Sequence, residues 1–357
     1  MLAAGCSRIK APPEKVYVCV RRTNLRDRVA PVSNRTAEVR NGQELTVLEH
    51  GRRFLRVRTA DGKTGWIEEH LIIDQKTYDA FRKMAAENKD DAVTATAMLD
   101  VELYMHVAPG RDTDHFYLLP ANSKVTLLIR ASVPKSGAAS AALARLAEPA
   151  TQGHAPQGKA SQPIPAPPPM EDWWLARDAQ GHTGWMLASR LYIDVPDAIA
   201  QYGEGQDFVG AWKIATVNDP KLDAPNHEVP EYLTVMAPAQ AGLPFDFDQV
   251  RIFTWSRIHH RYETGFRLHP IAGFLPVRIF TAPGPKGAPV PAFSFLLGSN
   301  GDVKYDPATG VTRPANPRTI EYELIDTQVK RIGPDMAPIE IRHEAKKPRP
   351  PARDKRR

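Results

Sequence analysis

Gly62-Lys63-Thr64-Gly65-Trp66-Ile67 returns 119 residues later as Gly181-His182-Thr183-Gly184-Trp185-Met186. Each copy follows an aromatic-rich, strand-like run, Phe54-Leu55-Arg56-Val57-Arg58 and Trp173-Trp174-Leu175-Ala176-Arg177. Each leads into an apolar stretch that ends in Ile-Asp, at Ile73-Asp74 and Ile193-Asp194. Self-similarity of this kind predicts two copies of one small β module within the chain.

In residues 16–74, Val16-Tyr17-Val18-Cys19-Val20 and Glu44-Leu45-Thr46-Val47-Leu48 read as strands, the second by its alternation. Asp61-Gly62 supplies the positive-φ positions of a tight hairpin between Phe54–Arg58 and Thr64–Ile67. Five or six short strands without a helix describe a small β-barrel. The order Asn24-Leu25-Arg26, then Gly42-x-x-Leu45-x-Val47-Leu48, then Gly62-x-x-Gly65-Trp66-Ile67 resembles a bacterial SH3-like domain. The resemblance implies that the Asn-Leu-Arg strand opens the barrel and that the Gly-Trp pair lays the ring across the core edge. It also implies binding to cell-wall peptide or another envelope target, or a spacer role. The residues that would line a ligand groove are Trp66, Trp185, Tyr17 and Tyr104; the other reading of Trp66 is a core-capping aromatic.

Residues 75–91 are expected to contain a connecting helix. Asp74 is its N-cap, and Tyr78, Phe81, Met84 and Ala85 share one packing face. Residues 92–195 repeat the first module. Leu103–Pro109 parallels Leu25–Pro31 at an offset of 78, Lys124–Leu128 parallels Glu44–Leu48 at 80, and the Gly-Trp motif lies at 119. The jump marks an insertion at residues 131–170, rich in Ala, Pro, Gly, Ser and Gln, whose composition predicts a disordered loop.

Residues 196–333 open with a helical turn after Pro196 and continue in strands: Ala211–Val217, Tyr232–Met236, Val250–Trp255, Tyr262–Leu268, Leu275–Thr281, Ala292–Leu297 and Thr319–Val329. That count, with Pro/Gly turns between, predicts a β-sandwich or barrel-like domain. The whole chain is therefore expected to be mainly β: two small SH3-like barrels joined by a short helix, then a β-rich domain.

The chemistry available to that domain is limited. His259, His260 and Glu263 are potential metal ligands, but adjacent residues on a strand point to opposite faces, and no second His-bearing motif stands at metal-site spacing. No cysteine follows residue 19, so a thiol nucleophile is missing from the C-terminal region. Ser256 lacks a Gly-x-Ser-x-Gly elbow. Asp246, Asp248 and Glu263 leave paired-carboxylate chemistry open. No catalytic residue, metal or cofactor is expected.

The net charge of +6 suggests a polyanion partner until it is located. Seven Lys/Arg between His343 and Arg357, against Glu344 and Asp354, supply most of it. The folded body is then nearly neutral, which removes the main support for specific nucleic-acid binding. Residues 334–357 read as a disordered basic tail. No run of about 18 apolar residues suggests a spanning helix. At the other end, residues 1–15, Leu2-Ala3-Ala4-Gly5-Cys6 resembles a bacterial lipobox, with Ala3 where Leu is commoner and without the usual basic and apolar signal regions upstream. The resemblance implies a diacylglyceryl group on the Cys6 thiol and attachment to a membrane surface of the cell envelope. The expected function is a non-catalytic envelope lipoprotein that binds or scaffolds, with peptidoglycan or an envelope protein as partner. The alternative is a cell-wall hydrolase with SH3-like targeting modules.

Overall fold

The computed structural model describes residues 13–135, 168–222, 225–299 and 302–341. They divide into two compact units: one runs to Asp194 and includes Asp306–Val311, and the other comprises Val195–Tyr305 and the chain from Thr312. Cys6, most of the expected insertion and the basic run from Arg342 lie outside the described residues.

The first unit holds two seven-stranded antiparallel sheets. In the first are β1 (Lys15–Val18), β2 (Arg22–Arg26), β3 (Arg35–Arg40), β4 (Glu44–His50), β5 (Phe54–Arg58), β6 (Thr64–Glu68) and β7 (Ile72–Asp74). In the second are β8 (Ala95–Leu99), β9 (Leu103–His106), β10 (His115–Leu119), β11 (Lys124–Pro134), β12 (Met170–Arg177), β13 (Thr183–Leu187) and β14 (Leu191–Ile193). The strand orders are the same: β3-β2-β6-β5-β4-β1-β7 and β10-β9-β13-β12-β11-β8-β14. Even the β-bulge recurs, between Val47 and Glu49 and between Leu127 and Ile129. Among the described residues the outermost strands share no ladder, so each sheet is open and not a closed barrel.

The repeated motif is explained by backbone geometry. Gly62 and Gly181 have φ of +84° and +88°, the left-handed turn region that L side chains rarely enter. At Gly65 an added Cβ would lie 2.7 Å from Leu25 Cβ, and at Gly184 one would lie 2.6 Å from Met105 Cβ. The second glycine thus lets β6 close onto β2, and β13 onto β9. These contacts also correct the register. They pair Leu25 with Met105, and the ladders pair Arg26 with Trp66 and His106 with Trp185. The offset is 80 from the second strand of each sheet as far as β4 and β11, not 78.

Between the sheets runs α1 (Gln75–Glu87), capped by Asp74 Oδ1, which accepts from Thr77 N at 2.7 Å. It packs on β1, β7 and β13. Its Phe81 is fully buried beside Phe116, and Tyr78 stacks on Tyr17 at 4.0 Å. Asn41 ties the copies together: its Nδ2 donates to Cys19 O at 2.9 Å and Phe116 O at 2.7 Å, and its Oδ1 accepts from Leu118 N at 3.2 Å.

The second unit starts with a short helix, α2 (Asp197–Ala200). One four-stranded meander follows, β15 (Gln206–Asn218), β16 (Glu228–Pro238), β17 (Gln249–Ser256) and β18 (Arg261–Leu268). The other comprises β19 (Gly273–Pro283), β20 (Pro289–Leu297), β23 (Arg318–Ile325) and β24 (Gln328–Ile332); the small pair β21 (Val303–Tyr305) and β22 (Thr312–Pro314) lies between β20 and β23 in sequence. An aromatic contact joins the two four-stranded sheets, Phe266 on Tyr322 at 5.0 Å, and Phe247, in the segment before β17, packs on Phe295 of β20 at 5.8 Å. The domain is a sandwich. The run Thr319–Val329, expected as one strand, is a hairpin that turns at Asp326, whose φ is +53°. The start of the expected tail is also held: Asp335 accepts from Arg318 at 2.8 Å and Arg331 at 3.2 Å.

Candidate functional site

The four aromatic residues expected around a groove are placed very differently. Trp66 lines an open groove of about 630 Å³ with Arg28, Val29, Gly51, Arg52, Arg53 and Phe54. The strand ladders set Trp66 and Phe54 on adjacent strands, and the β4–β5 turn brings Gly51, Arg52 and Arg53 over them. Gly51 fits closely there, since a Cβ would meet the Trp66 ring at 3.2 Å and Phe54 O at 3.1 Å. The opposite wall is the β2–β3 loop, where Val29 is half exposed.

Trp185 is a correction. It is only 6% exposed and packs with Leu128, Ala131, Trp173, Leu175, Leu187 and Val311. Counting by the ladders, Trp173 stands where Phe54 stands and Glu171 and Asp172 stand where Arg52 and Arg53 do. β11 and β12 extend well beyond their counterparts β4 and β5, so the space that is open in the first copy is filled in the second. Tyr17 is a second correction: it is buried, stacked on Tyr78, and its hydroxyl donates to Gln75 Oε1 at 2.9 Å. Tyr104 is half buried against the His115 ring at 4.4 Å. Neither shares a groove with Trp66.

The electrostatics of the two positions are also opposite. Arg28 leans on Val32 O at 3.3 Å, whereas the exposed Arg52 and Arg53 side chains make no ion pair among the described residues. Carboxylates on adjoining strands are committed elsewhere, Glu49 to Arg56 at 3.6 Å and Glu68 to His70 at 3.3 Å. In the second copy Glu171 takes a bidentate fork from Arg111 at 2.7–3.0 Å, and Asp172 pairs with Arg130 at 2.5 Å. An Arg fork on a carboxylate is a geometrically specific pair.

A second cleft of about 700 Å³ in this unit is lined by Asn41, Tyr78, the β10 residues 116–119 and the Asp178–His182 turn. His182 Nδ1 lies 2.8 Å from Asp178 Oδ2 and its ring stacks on Tyr117 at 3.9 Å. Burial works to raise the Asp178 carboxyl, but hydrogen bonds from His182 and Gln180 outweigh it and hold the group low. Burial pushes the Tyr117 phenol up to about 12. These groups satisfy one another. Ser123 lines the same cleft, and among the described residues neither Asp178 nor His182 is hydrogen-bonded to it.

The described residues that could serve hydrolysis are placed as follows. Cys19 is buried, its Sγ donates weakly to His70 O at 3.7 Å, and desolvation pushes the thiol up to about 11, which disfavours the thiolate. Ser256, His259 and Glu263 lie in line, yet both contacts, 3.3 and 2.8 Å, fall on the same His259 Nδ1, so no relay through the two ring nitrogens exists. His260 turns away to Asp219 at 2.9 Å. No group of three or more metal-ligating side chains occurs among the described residues. No helix among them is long and apolar enough to cross a membrane.

Residues 22–73 match the family model of the bacterial SH3 domain. The N-terminal sheet is therefore SH3-like, within a chain that is mainly β. Three solved structures share low similarity. An NlpC/P60 family protein from Bacillus cereus ATCC 10987 is 11% identical, with 53% of this chain and 62% of that one covered and a TM-score of 0.21. This chain thus spans less than two thirds of that protein. NlpC2 and NlpC1 from Trichomonas vaginalis are 10% and 12% identical, over 87% and 88% of this chain and 97% and 98% of theirs, with TM-scores of 0.17 and 0.16. Scores of this size do not establish a common fold. No curated protein matches.

The signal missed from sequence is the pair Arg52-Arg53. It reads as an ordinary polar turn until Glu171-Asp172 is aligned with it, and the alignment needs the ladder register.

Proposed function

We propose that this chain is a non-catalytic binding protein of the bacterial cell envelope, attached to a membrane surface through a lipid on Cys6. In this reading the second sheet is a second copy of the SH3 fold that serves as scaffold, and the first copy holds a cell-wall ligand, peptidoglycan being the partner of choice. The observation that carries it is the contrast at the repeated tryptophan: Trp66 lines an open groove, while Trp185 is covered by a cluster that includes Trp173, Leu175, Leu187 and Val311. An aromatic wall beside polar groups is the usual make-up of a ligand site. The test is sedimentation of the full chain with purified peptidoglycan, with Trp66→Ala as comparison. Co-sedimentation that the substitution abolishes supports the reading. Release of soluble wall fragments by the wild-type chain would replace it with the hydrolase alternative. Mass spectrometry of membrane-fraction protein tests the anchor, and an unmodified Cys6 ends that part.

A further inference from the structure

The unpaired arginines at the groove of the first copy have a counterpart that shows what they lack. At the matching rim of the second copy the chain supplies both halves of two ion pairs, Arg111–Glu171 and Arg130–Asp172. In the first copy the acidic half is replaced by Arg52 and Arg53, and nothing among the described residues pairs with them.

We propose that the groove is a receptor for a peptide bearing at least two carboxylates, which take the place beside Arg52 and Arg53 that protein side chains fill in the second copy. This rests on the reading of the Trp66 groove as the ligand site, and adds the ligand's chemical class. The apolar part of the peptide lies against Phe54 and Trp66, with Val29 as the far wall. A guanidinium is suited to this because its planar fork grips a carboxylate at two points. The groove is lined by carbon faces as well as charge, so a bare inorganic anion uses only part of it. Two arginines side by side also repel each other when empty, and a dicarboxylate relieves that repulsion.

The probe is the dipeptide Ala-Glu with both carboxylates free, set against its diamide. Binding to the full chain is followed by NMR with nitrogen-labelled tryptophan, the Trp66 indole signal being assigned from Trp66→Phe. The dicarboxylate is expected to shift the Trp66 signal, the diamide to shift it at least tenfold more weakly. Arg52→Gln with Arg53→Gln should lower affinity at least tenfold, about 1.4 kcal/mol, and remove most of the salt dependence. The control is Arg22→Gln with Arg35→Gln, which removes the same charge from exposed positions on β2 and β3 that do not line the groove. Equal binding of diamide and dicarboxylate, equal losses from the two double variants, or inorganic phosphate binding as tightly as the peptide would each overturn the proposal. Sedimentation with peptidoglycan separates the two levels. If Trp66→Ala abolishes it and the arginine variant does not, the groove remains a ligand site and its anionic specificity is wrong. If neither variant changes it, the groove itself is the wrong site.

Discussion

The repeated tryptophan offers a paired perturbation, Trp185→Ala and Trp66→Ala, with opposite expected consequences. A Trp side chain buries up to about 250 Å², and at about 25 cal/mol per Å² its loss would remove about 6 kcal/mol. That is an upper figure because the unfolded chain already hides part of the ring. Measured Trp-to-Ala losses of about 3–5 kcal/mol suit Trp185, which is 6% exposed and enclosed by Trp173, Leu175 and Leu187. Trp66 covers the Gly51 backbone on one side and faces the groove on the other, so about 1–2 kcal/mol is expected from its partial burial. The assay is urea unfolding followed by circular dichroism, with hydrogen exchange of the β5–β6 and β12–β13 peptides to assign the transition, since a chain of two units need not unfold in one step. Peptidoglycan sedimentation is run on the same proteins. Trp185→Ala should take the larger loss of stability and, where it remains folded, keep binding; Trp66→Ala should take the smaller loss of stability and lose binding. Equal destabilisation by the two substitutions would refute the reasoning, because it would mean that the repeated residue does the same work twice.

Three further outcomes follow from local geometry. Gly184→Ala puts a Cβ 2.6 Å from Met105 Cβ, an atom fixed to the backbone, and should cost about 1–3 kcal/mol, whereas Gly181→Ala, strained only by its φ of +88°, should cost about 1–2 kcal/mol and leave the β9–β13 contact intact by hydrogen exchange. Asn41→Ala strips partners from Phe116 O and Leu118 N; about 1–3 kcal/mol should be lost, read as faster exchange in β10, and unchanged exchange there would contradict the assigned role. His106 is lowered to about 4, chiefly by burial and then by His115, so the folded state keeps it neutral while the unfolded chain takes up a proton near pH 6.5. Its contribution is complete above pH 6.5 and is lost as pH falls from 6.5 towards 4. The full shift corresponds to about 3 kcal/mol, and partial exposure reduces this to about 1–2 kcal/mol. His106→Phe should flatten the urea midpoint across that window, and an identical pH response in wild type and variant would sink the assignment.

Gly62, Gly65 and their copies were legible in the sequence because turn geometry and close strand approach leave few residue choices, and those choices repeat with the fold. The strand runs of the C-terminal sheets were legible for a related reason, alternation and β-branched content, but the turn at Asp326 was not, because its polar run Asp326-Thr327-Gln328 holds no Gly or Pro and the left-handed position falls on an Asp. The candidate site was least legible. Trp66 and Trp185 sit in the same local motif, and what separates them is supplied from elsewhere: the longer arms of β11 and β12, Trp173 against Phe54, and Glu171-Asp172 against Arg52-Arg53. Local sequence therefore places a tryptophan at the same ladder position in each sheet, while residues outside the motif, those of β11 and β12 and Val311 among them, cover the second one. It follows that shortening the β11–β12 arms to the length of β4 and β5 would not by itself create a second binding site. The rim would still carry Glu171 and Asp172, each held by its own arginine, and it would lack the unpaired guanidinium groups by which the first groove is proposed to hold carboxylates.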